Sequence, residues 1–571
     1  MDRELLLSHR CVRLVFVSAV LTVLAAAVYL PVFSIGFLHD DFLDLDHSFS
    51  TRSFTGFEAG GYRPLMAGLW TLDARLYGPG RPWGWHLTNL VLFMINALLV
   101  HLLLREFGAG AKGSFLGTAL FLLSWAAAPA VARVSGRTTL AALAPLLAAL
   151  LVHLRAVKRA GGLRAGPIVL AQLLFFVSLL FKETAIACPP VFAALALYHP
   201  PPARRKAVAV SLAAAMATLA VYLLMRFSAV GLSISYAESG TFGLFTVKSM
   251  LRLSAMVFKP WLAGVPFRVL LPCAVIVLWL LRVDTRHKMF FIILTVCLLL
   301  PVGSLGARGY LAVTALPSAA LLFGLLMDRA GTRTTWMIAV PLLLGGFLSA
   351  RDEVRIIRDA SAIVEETTYM MNEILDSVPG EGPVFFTGIQ YQHGDYDTFW
   401  EGELLEPLRA AGYDPGRYVG DASGFWGTLL PIARENPGTE ARFAHLETGR
   451  VLSFSPHERL TVEIPDTLLF VRDCLPLAEF GEYSDCIVSE RVLLYLPDPF
   501  GGDSLIVLVP DNTAEGYHFF LEDRPEWVLA SEGSSCFFSA PVTAAFSRTS
   551  DWMIELESEQ MRKEQMLTRY Q

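Results

Sequence analysis

Acidic side chains are nearly missing from the first 350 residues. That part carries 13 Asp+Glu against 30 Lys+Arg, a net of +17. From Arg351 onward there are 39 acidic and 16 basic residues, a net of −23. The water-exposed acidic part would repel nucleic acid, which excludes it as a partner. Cysteine is scarce as well, seven in 571 residues, and no Cys-x-x-Cys or His/Cys cluster argues for a structural zinc. No fixed period recurs in the acidic part, which excludes a solenoid of repeats. Ionisable groups are also few in the middle of the apolar runs, where a proton- or ion-coupled transporter would be expected to place some.

The first part is instead dense in apolar runs long enough to cross the ~30 Å hydrocarbon core, at ~20 residues per helix. Basic clusters recur between alternate runs: Arg105 with Lys112, Arg155-Lys158-Arg159-Arg164, Arg204-Arg205-Lys206, Arg282-Arg286-Lys288, and Arg329 with Arg333. Setting these in the cytoplasm predicts about eleven helices, near 12–33, 86–105, 114–132, 139–154, 167–182, 184–199, 207–227, 266–282, 289–304, 309–327 and 334–350. The span 184–199 is short and contains Pro189-Pro190. Arg3, Arg10 and Arg13 precede the first run, and no small-residue cleavage site follows it, so the first helix is read as uncleaved with a cytoplasmic start. The chain is expected to be a multi-pass protein of an inner or plasma membrane. Residues 1–350 would form the membrane domain, and 351–571 an acidic extracytoplasmic domain long enough to bury its own core.

Chemistry-bearing residues gather at the outer ends of the predicted helices. Asp40 and Asp41 stand just beyond the first helix, in Phe37-Leu38-His39-Asp40-Asp41-Phe42. A carboxylate near lipid is expensive and calls for a function or a partner, although solvated loop acids are the plainer account. The first outer loop is long, from about Gly36 to Gly84, and ends in Tyr62-Arg63-Pro64-Leu65 and Trp83-Gly84-Trp85-His86-Leu87-Thr88-Asn89. Its tryptophans fit an interfacial belt. His86 and Asn89 share a helical face with Phe93 and Asn96, so they reach into a bundle as a site or as interhelical glue. Further outer segments carry Arg133-Val134-Ser135-Gly136-Arg137, Lys182-Glu183 and Arg308-Gly309-Tyr310. Cations on this face are disfavoured by the orientation rule, so they ask for an anionic partner: a lipid phosphate or pyrophosphate, or a neighbouring acid such as Glu183 beside Lys182.

The order of these motifs resembles the GT-C class of membrane glycosyltransferases over roughly residues 12–330. That order is the Asp pair, Tyr-Arg-Pro-Leu, His-x-x-Asn, Ser-Gly-Arg, Lys-Glu with a following proline, and Arg-x-Tyr-Leu with Pro317-Ser318. It is most similar to the protein O-mannosyltransferase-like branch that carries tetratricopeptide tails, a tail this chain does not match. The resemblance implies a polyprenyl-phosphate-linked sugar donor, an acceptor hydroxyl on a protein, lipid or glycan, and reaction on the outer face. It also implies Asp40 or Asp41 as base, with Lys182 or Arg308 near the donor phosphate. Tyr62, Arg63, His86, Asn89, Arg137, Glu183 and Tyr310 would complete the substrate-binding set. The chain departs from the branch at Ser124-Trp125-Ala126-Ala127-Ala128-Pro129, where His-Pro and a later Glu are usual. It departs again at Thr139 in place of Asp, and at Ala307 in place of Glu. A second catalytic carboxylate, if required, would come from elsewhere, such as Glu183 or Glu238.

Two adjacent carboxylates either repel, raising one pKa so that it serves as base, or hold a divalent metal through oxygen ligands. Both readings stand at this stage, with no cofactor otherwise required. Asp44-Leu45-Asp46 has the form of the DxD motif of nucleotide-sugar enzymes, but no soluble nucleotide-binding domain surrounds it. A transporter, a flippase or a non-catalytic scaffold with an outer acidic domain is the alternative from another class. Convergence of Asp40/Asp41, Lys182 and Arg308 on one outer site discriminates between them.

The acidic part opens with a charged, helix-like stretch from Arg351 to about Ser377, with Ile356, Ile357, Ile363, Met370, Met371 and Ile374 at loose helical spacing. Apolar runs at 383–387, 467–471, 491–496, 504–509 and 517–521 read as buried strands of an α/β or α+β domain. An outer compartment permits one disulfide, with Cys474 and Cys486 the nearer pair and Cys536 left over.

Overall fold

The computed structural model describes residues 16–17, 19–42, 44–45, 62–158, 164–199, 203–230, 248–250, 252, 284–303 and 309–378, together with shorter C-terminal stretches that include the strands named below. The chain divides into two compact units, Met1–Ser361 and Ala362–Gln571.

The first unit is helical: α1 (Ala19–Ser34), α2 (Pro64–Tyr77), α3 (Pro82–Glu106), α4 (Ala111–Leu123), α5 (Ala128–Ala132), α6 (Arg137–Lys158), α7 (Ala165–Phe181), α8 (Pro189–Leu195), α9 (Arg204–Val230), α10 (Thr285–Gly303), α11 (Leu316–Arg329) and α12 (Thr332–Ser377). Among the described residues five helices are long and apolar enough to cross a membrane, or six if the pair bent by 55° at Ser124 is one span. Three shorter apolar helices, Ala19–Ser34, Ala165–Phe181 and Pro189–Tyr198, accompany them. The span expected at 266–282 lies outside the described residues.

Burial separates central from peripheral helices. Most of α6 is buried, whereas α9 is largely exposed and presents Leu212, Met216, Val221, Leu224 and Phe227 on its surface. An apolar helix with an apolar exposed face suits hydrocarbon rather than water. Along α12 the exposed Trp336, Val340, Leu344 and Leu348 recur every four residues, and the sequence turns charged at Arg351. At 1.5 Å per residue the stretch from Thr332 to Glu353 rises about 31 Å, one hydrocarbon thickness. The helix then continues to Ser377. The boundary expected at residue 350 therefore falls inside one helix, because hydropathy changes there while backbone hydrogen bonding does not.

Two segments differ from their expected form. The first loop contains α2, which starts on Pro64 and ends before Gly78 at φ 67°. Proline in a first turn and a positive-φ glycine just past the end are ordinary helix punctuation. At 14 residues it is too short to span. The expected 184–199 span is broken into a 3-10 turn at Glu183–Ala185, α8 from Pro189, and a 3-10 turn at Ala196–Tyr198. Neither Pro189 nor Pro190 has an N–H to continue a helix from upstream.

In the C-terminal unit β2 (Gln392–His393) and β3 (Tyr396–Asp397) pair as two short antiparallel strands, β7 is Leu493–Tyr495, and a four-stranded sheet has the order β4-β1-β5-β6. Strand β1 (Val384–Thr387) runs parallel to β4 (Val419–Asp421) and β5 (Ala441–His445), and β6 (Val451–Phe454) is antiparallel to β5. Helix α13 (Leu405–Ala410) lies in the connection from β1 to β4. The apolar runs at 504–509 and 517–521 form β8 and β9 of two three-stranded antiparallel sheets. The run at 467–471, together with Cys474 and Cys486, lies outside the described residues.

Small residues let the membrane helices approach backbone to backbone. A Cβ on Gly117 of α4 would lie 2.6 Å from the Ala320 carbonyl oxygen of α11, and one on Gly324 would lie 2.7 Å from the Gly113 oxygen. Gly117→Val is therefore expected to lower the thermal unfolding midpoint in detergent, by an overpacking cost of ~1–3 kcal/mol. Gly80→Val, whose added Cβ meets nothing within 4 Å, serves as the control. Equal midpoints for the two variants would show that α4 and α11 do not pack so closely.

Candidate active site at the outer ends of the helices

Beyond α1 the chain passes through Ile35, which is extended, and turns sharply at His39, whose φ is 41°. Histidine tolerates this left-handed region better than bulky residues do. Hydrogen bonds from Asp41 N to Leu38 O (2.8 Å) and from Phe42 N to His39 O (3.0 Å) close the turn. The two aspartates leave it in different directions. The Asp41 side chain is 1% exposed; it accepts from Leu38 N at 3.2 Å and from Ser135 N at 2.6 Å. Asp40 is 27% exposed, with His39 Nδ1 2.8 Å from one oxygen and Arg133 Nη2 3.4 Å from the other. Burial pushes the Asp41 carboxyl upward in pKa, opposed by Arg133 and the Ser135 hydrogen bonds. One acid is thus fixed and desolvated while the other remains partly exposed.

Arg63, just before α2, grips Glu183 with both ends of its fork, Nε–Oε2 at 2.9 Å and Nη2–Oε1 at 2.6 Å. Burial alone would raise Glu183, but this bidentate pair holds its pKa at about 2. Helix α7 ends at Phe181, which leaves Lys182 just outside it. The buried Lys182 Nζ donates to Thr138 Oγ1 at 3.1 Å and Thr139 Oγ1 at 3.0 Å. Burial and the Arg63 charge bring it down to about 7, opposed by Glu183, Asp44 and Asp40. Asp44 is pushed well above the usual carboxylate range by burial and by repulsion from Asp41 and Asp40, with Arg63 opposing. Asp44 thus lies in the fields of Asp40, Asp41 and Arg63, and Lys182 in those of Arg63, Glu183, Asp44 and Asp40, although these groups come from three separated stretches of chain.

A second layer, deeper and closed, supports this one. Arg137 is fully buried. Its Nη1 lies 2.6 Å from Asp73 Oδ2, its Nε donates to Asn89 Oδ1 at 2.9 Å, and its Nη2 donates to the Trp85 carbonyl at 2.6 Å. The guanidinium also sits 5.3 Å from the Trp85 ring centroid. Thr88 donates to the other oxygen of Asp73 at 3.1 Å. Asn89 Nδ2 in turn holds the Arg133 and Val131 carbonyls, at 2.6 and 3.3 Å. Of the substrate-binding set named from sequence, Arg137 and Asn89 are therefore placed inside the bundle, holding the turn that presents Arg133 and Ser135. His86 is buried beside the Ile35–Gly36 backbone. Tyr62 is half-buried, its ring 6.2 Å from that of Tyr222, and its carbonyl accepts from the Tyr222 hydroxyl at 3.5 Å. Arg308, Glu238 and the Tyr310 side chain lie outside the described residues.

Asp73 and the Thr138/Thr139 hydroxyls were not legible as members of the site. Asp73 sits in what reads as a loop, and Thr139 only as a departure from a motif. Among the described residues no three His, Cys, Asp or Glu side chains are grouped to hold a metal ion. The oxygens of Asp40 and Asp41 already face Arg133 and two backbone N–H donors.

No protein-family model matches the chain, and no curated protein matches it. Among solved structures, the chain is similar to ArnT from Cupriavidus metallidurans bound to undecaprenyl phosphate, at 15% identity and a TM-score of 0.45, over 75% of this chain and 92% of that one. It is also similar to the arabinofuranosyltransferase AftD from mycobacteria, at 14% identity and a TM-score of 0.35, over 74% of this chain and 36% of that one.

Proposed function

We propose that this protein is a membrane-embedded GT-C-type glycosyltransferase. It moves a sugar from a polyprenyl-phosphate-linked donor to an acceptor hydroxyl on the outer face. The observation that carries this reading is the meeting of a carboxylate pair with Lys182 and the Arg63–Glu183 pair at the outer ends of the helices. General acid–base chemistry needs a carboxylate within reach of the acceptor proton, and phosphate departure needs cations.

In this reading the acceptor oxygen attacks the anomeric carbon, the carbon–oxygen bond to phosphate breaks, and the phosphate leaves with the bonding pair. Asp41 takes the acceptor's proton. Each carboxylate oxygen has two lone pairs, so the Leu38 and Ser135 hydrogen bonds fix Asp41 without using up its acceptor capacity. Arg133 and Asp40 frame the entrance, while Lys182, Arg63 and Arg308 serve the donor phosphate. Tyr62, His86, Asn89, Arg137, Glu183 and Tyr310 bind or support the substrates.

Three measurements test this. A reporter active only outside the cytoplasm, fused after Gln571, is expected to be active, as the alternating basic clusters require; activity of a cytoplasmic reporter there would remove the outer-face chemistry. In membranes given polyprenyl-phosphate sugars, Asp41→Asn should lower release of polyprenyl phosphate ~10²–10⁴-fold, and Asp40→Asn should be milder, with both proteins accumulating normally. Undiminished turnover in both single variants and in the double variant would dismiss the pair as catalytic centre. Lys182 is a cation below about 7 and neutral above it. Binding of a polyprenyl phosphodiester, whose single charge is constant over this range, should therefore weaken as pH rises through about 7. A pH-independent affinity, or one unchanged in Lys182→Met, would move the phosphate elsewhere.

A further inference from the structure

Outside the site just described, one buried carboxylate stands at the outer membrane level. Glu353 of α12 is 7% exposed and accepts a hydrogen bond from the indole N–H of Trp125, itself buried in the 3-10 turn at Trp125–Ala127. Eight residues further along α12, buried Ser361 accepts the Gly36 N–H on its Oγ at 2.6 Å. Positions eight apart lie on one face of a helix. That face therefore grips two separate outer segments of the first unit. One runs from Gly36 into the Asp40/Asp41 turn, and the other runs from Trp125 through α5 into Arg133 and Ser135.

These two segments supply the two halves of the carboxylate contact. Asp41 comes from one and the Ser135 N–H from the other, at 2.6 Å; Asp40 and Arg133 are divided in the same way. The second segment is short and bent, with a 55° break at Ser124. Helical hydrogen bonding alone cannot fix where its far end points. A long helix anchoring both segments supplies the missing constraint. Gly346 of the same helix adds to it, since a Cβ there would meet the Leu123 carbonyl oxygen at 2.8 Å, next to the break.

We propose that Glu353 and Ser361 are positioning residues: they clamp the two outer segments against α12 and so set the geometry between Asp40/Asp41 and Arg133/Ser135. Glu353 acts through the hydrogen bond that it accepts from Trp125. The kinetic consequence rests on the function proposed above; the structural one does not.

Hydrogen exchange on the full chain in nanodiscs provides the structural readout. Ser361→Ala, Glu353→Ala and Trp125→Phe should each speed exchange in peptides covering 34–42 and 133–138, while peptides within 82–106 stay protected. Glu353→Gln keeps an acceptor for the indole and should resemble wild type. With a polyprenyl-phosphate sugar that wild-type membranes turn over, the first three variants should lower kcat tenfold or more, as expected of a displaced reacting group. Their KM for the donor should change little, and Glu353→Gln should retain activity. Unchanged exchange at both peptides in all three variants overturns the clamp. Glu353→Gln as inactive as Glu353→Ala, with exchange like wild type, overturns the positioning role in favour of direct chemistry at Glu353. Should wild type turn over no such donor, the glycosyltransferase reading fails, and the exchange data alone decide the clamp.

Discussion

A guanidinium among membrane helices survives only if its charge is met, and Arg137 is met on every side. Asp73 supplies the opposing charge, Asn89 accepts from Nε, the Trp85 carbonyl accepts from Nη2, and the Trp85 ring lies alongside. Removing one member of such a pair would leave an uncompensated buried charge, at a cost of ~3–5 kcal/mol. The network ties α2, α3 and the start of α6 together, and through Asn89 it holds the Arg133 carbonyl. Everything at the outer surface is built on that turn. Arg133 reaches Asp40, Ser135 reaches Asp41, and Thr138 and Thr139 receive Lys182.

The division into a closed polar layer and an open one above it explains why residues of the same type behave differently. Arg137 and Asn89 use all or most of their donors within the bundle, so they give rigidity. Asp40 keeps part of its surface in solvent. Lys182 is held by hydroxyls rather than by a carboxylate, which leaves its charge responsive to its surroundings. A site that moves charge during a reaction benefits from such a support, because fixed dipoles need not reorganise when the charge appears. Helix α12 extends the same logic, touching the Gly36 segment and the Trp125 turn from one face.

Much of this was legible in the residues. The scarcity of acids before position 350 and the alternation of basic clusters with apolar runs carry the polytopic reading, because hydrocarbon imposes length and charge rules that local sequence cannot evade. The outer motifs, Asp40-Asp41, Arg63, Ser135-Gly136-Arg137 and Lys182-Glu183, were each visible as polar exceptions at helix ends. Less legible was α2. Its apolar contacts Met66, Trp70 and Ala74 are too few to stand out in a segment flanked by loop-like composition. The broken spans at Ser124 and Pro189 were blurred because hydropathy reports how apolar a segment is, not whether it bends.

The sequence by itself therefore determined that the chain is a membrane protein, where most described apolar helices fall, and which side chains are costly enough to need a reason. Only the tertiary structure decided what each reason is. Arg63 and Glu183 lie 120 positions apart, as do Asp41 and Ser135 at 94, and no local pattern links them. The same Arg in an outer turn is compatible with a phosphate, a lipid headgroup or a buried acid. The choice depends on which partner the packing brings within about 3 Å, since charge-assisted hydrogen bonds form only at that range.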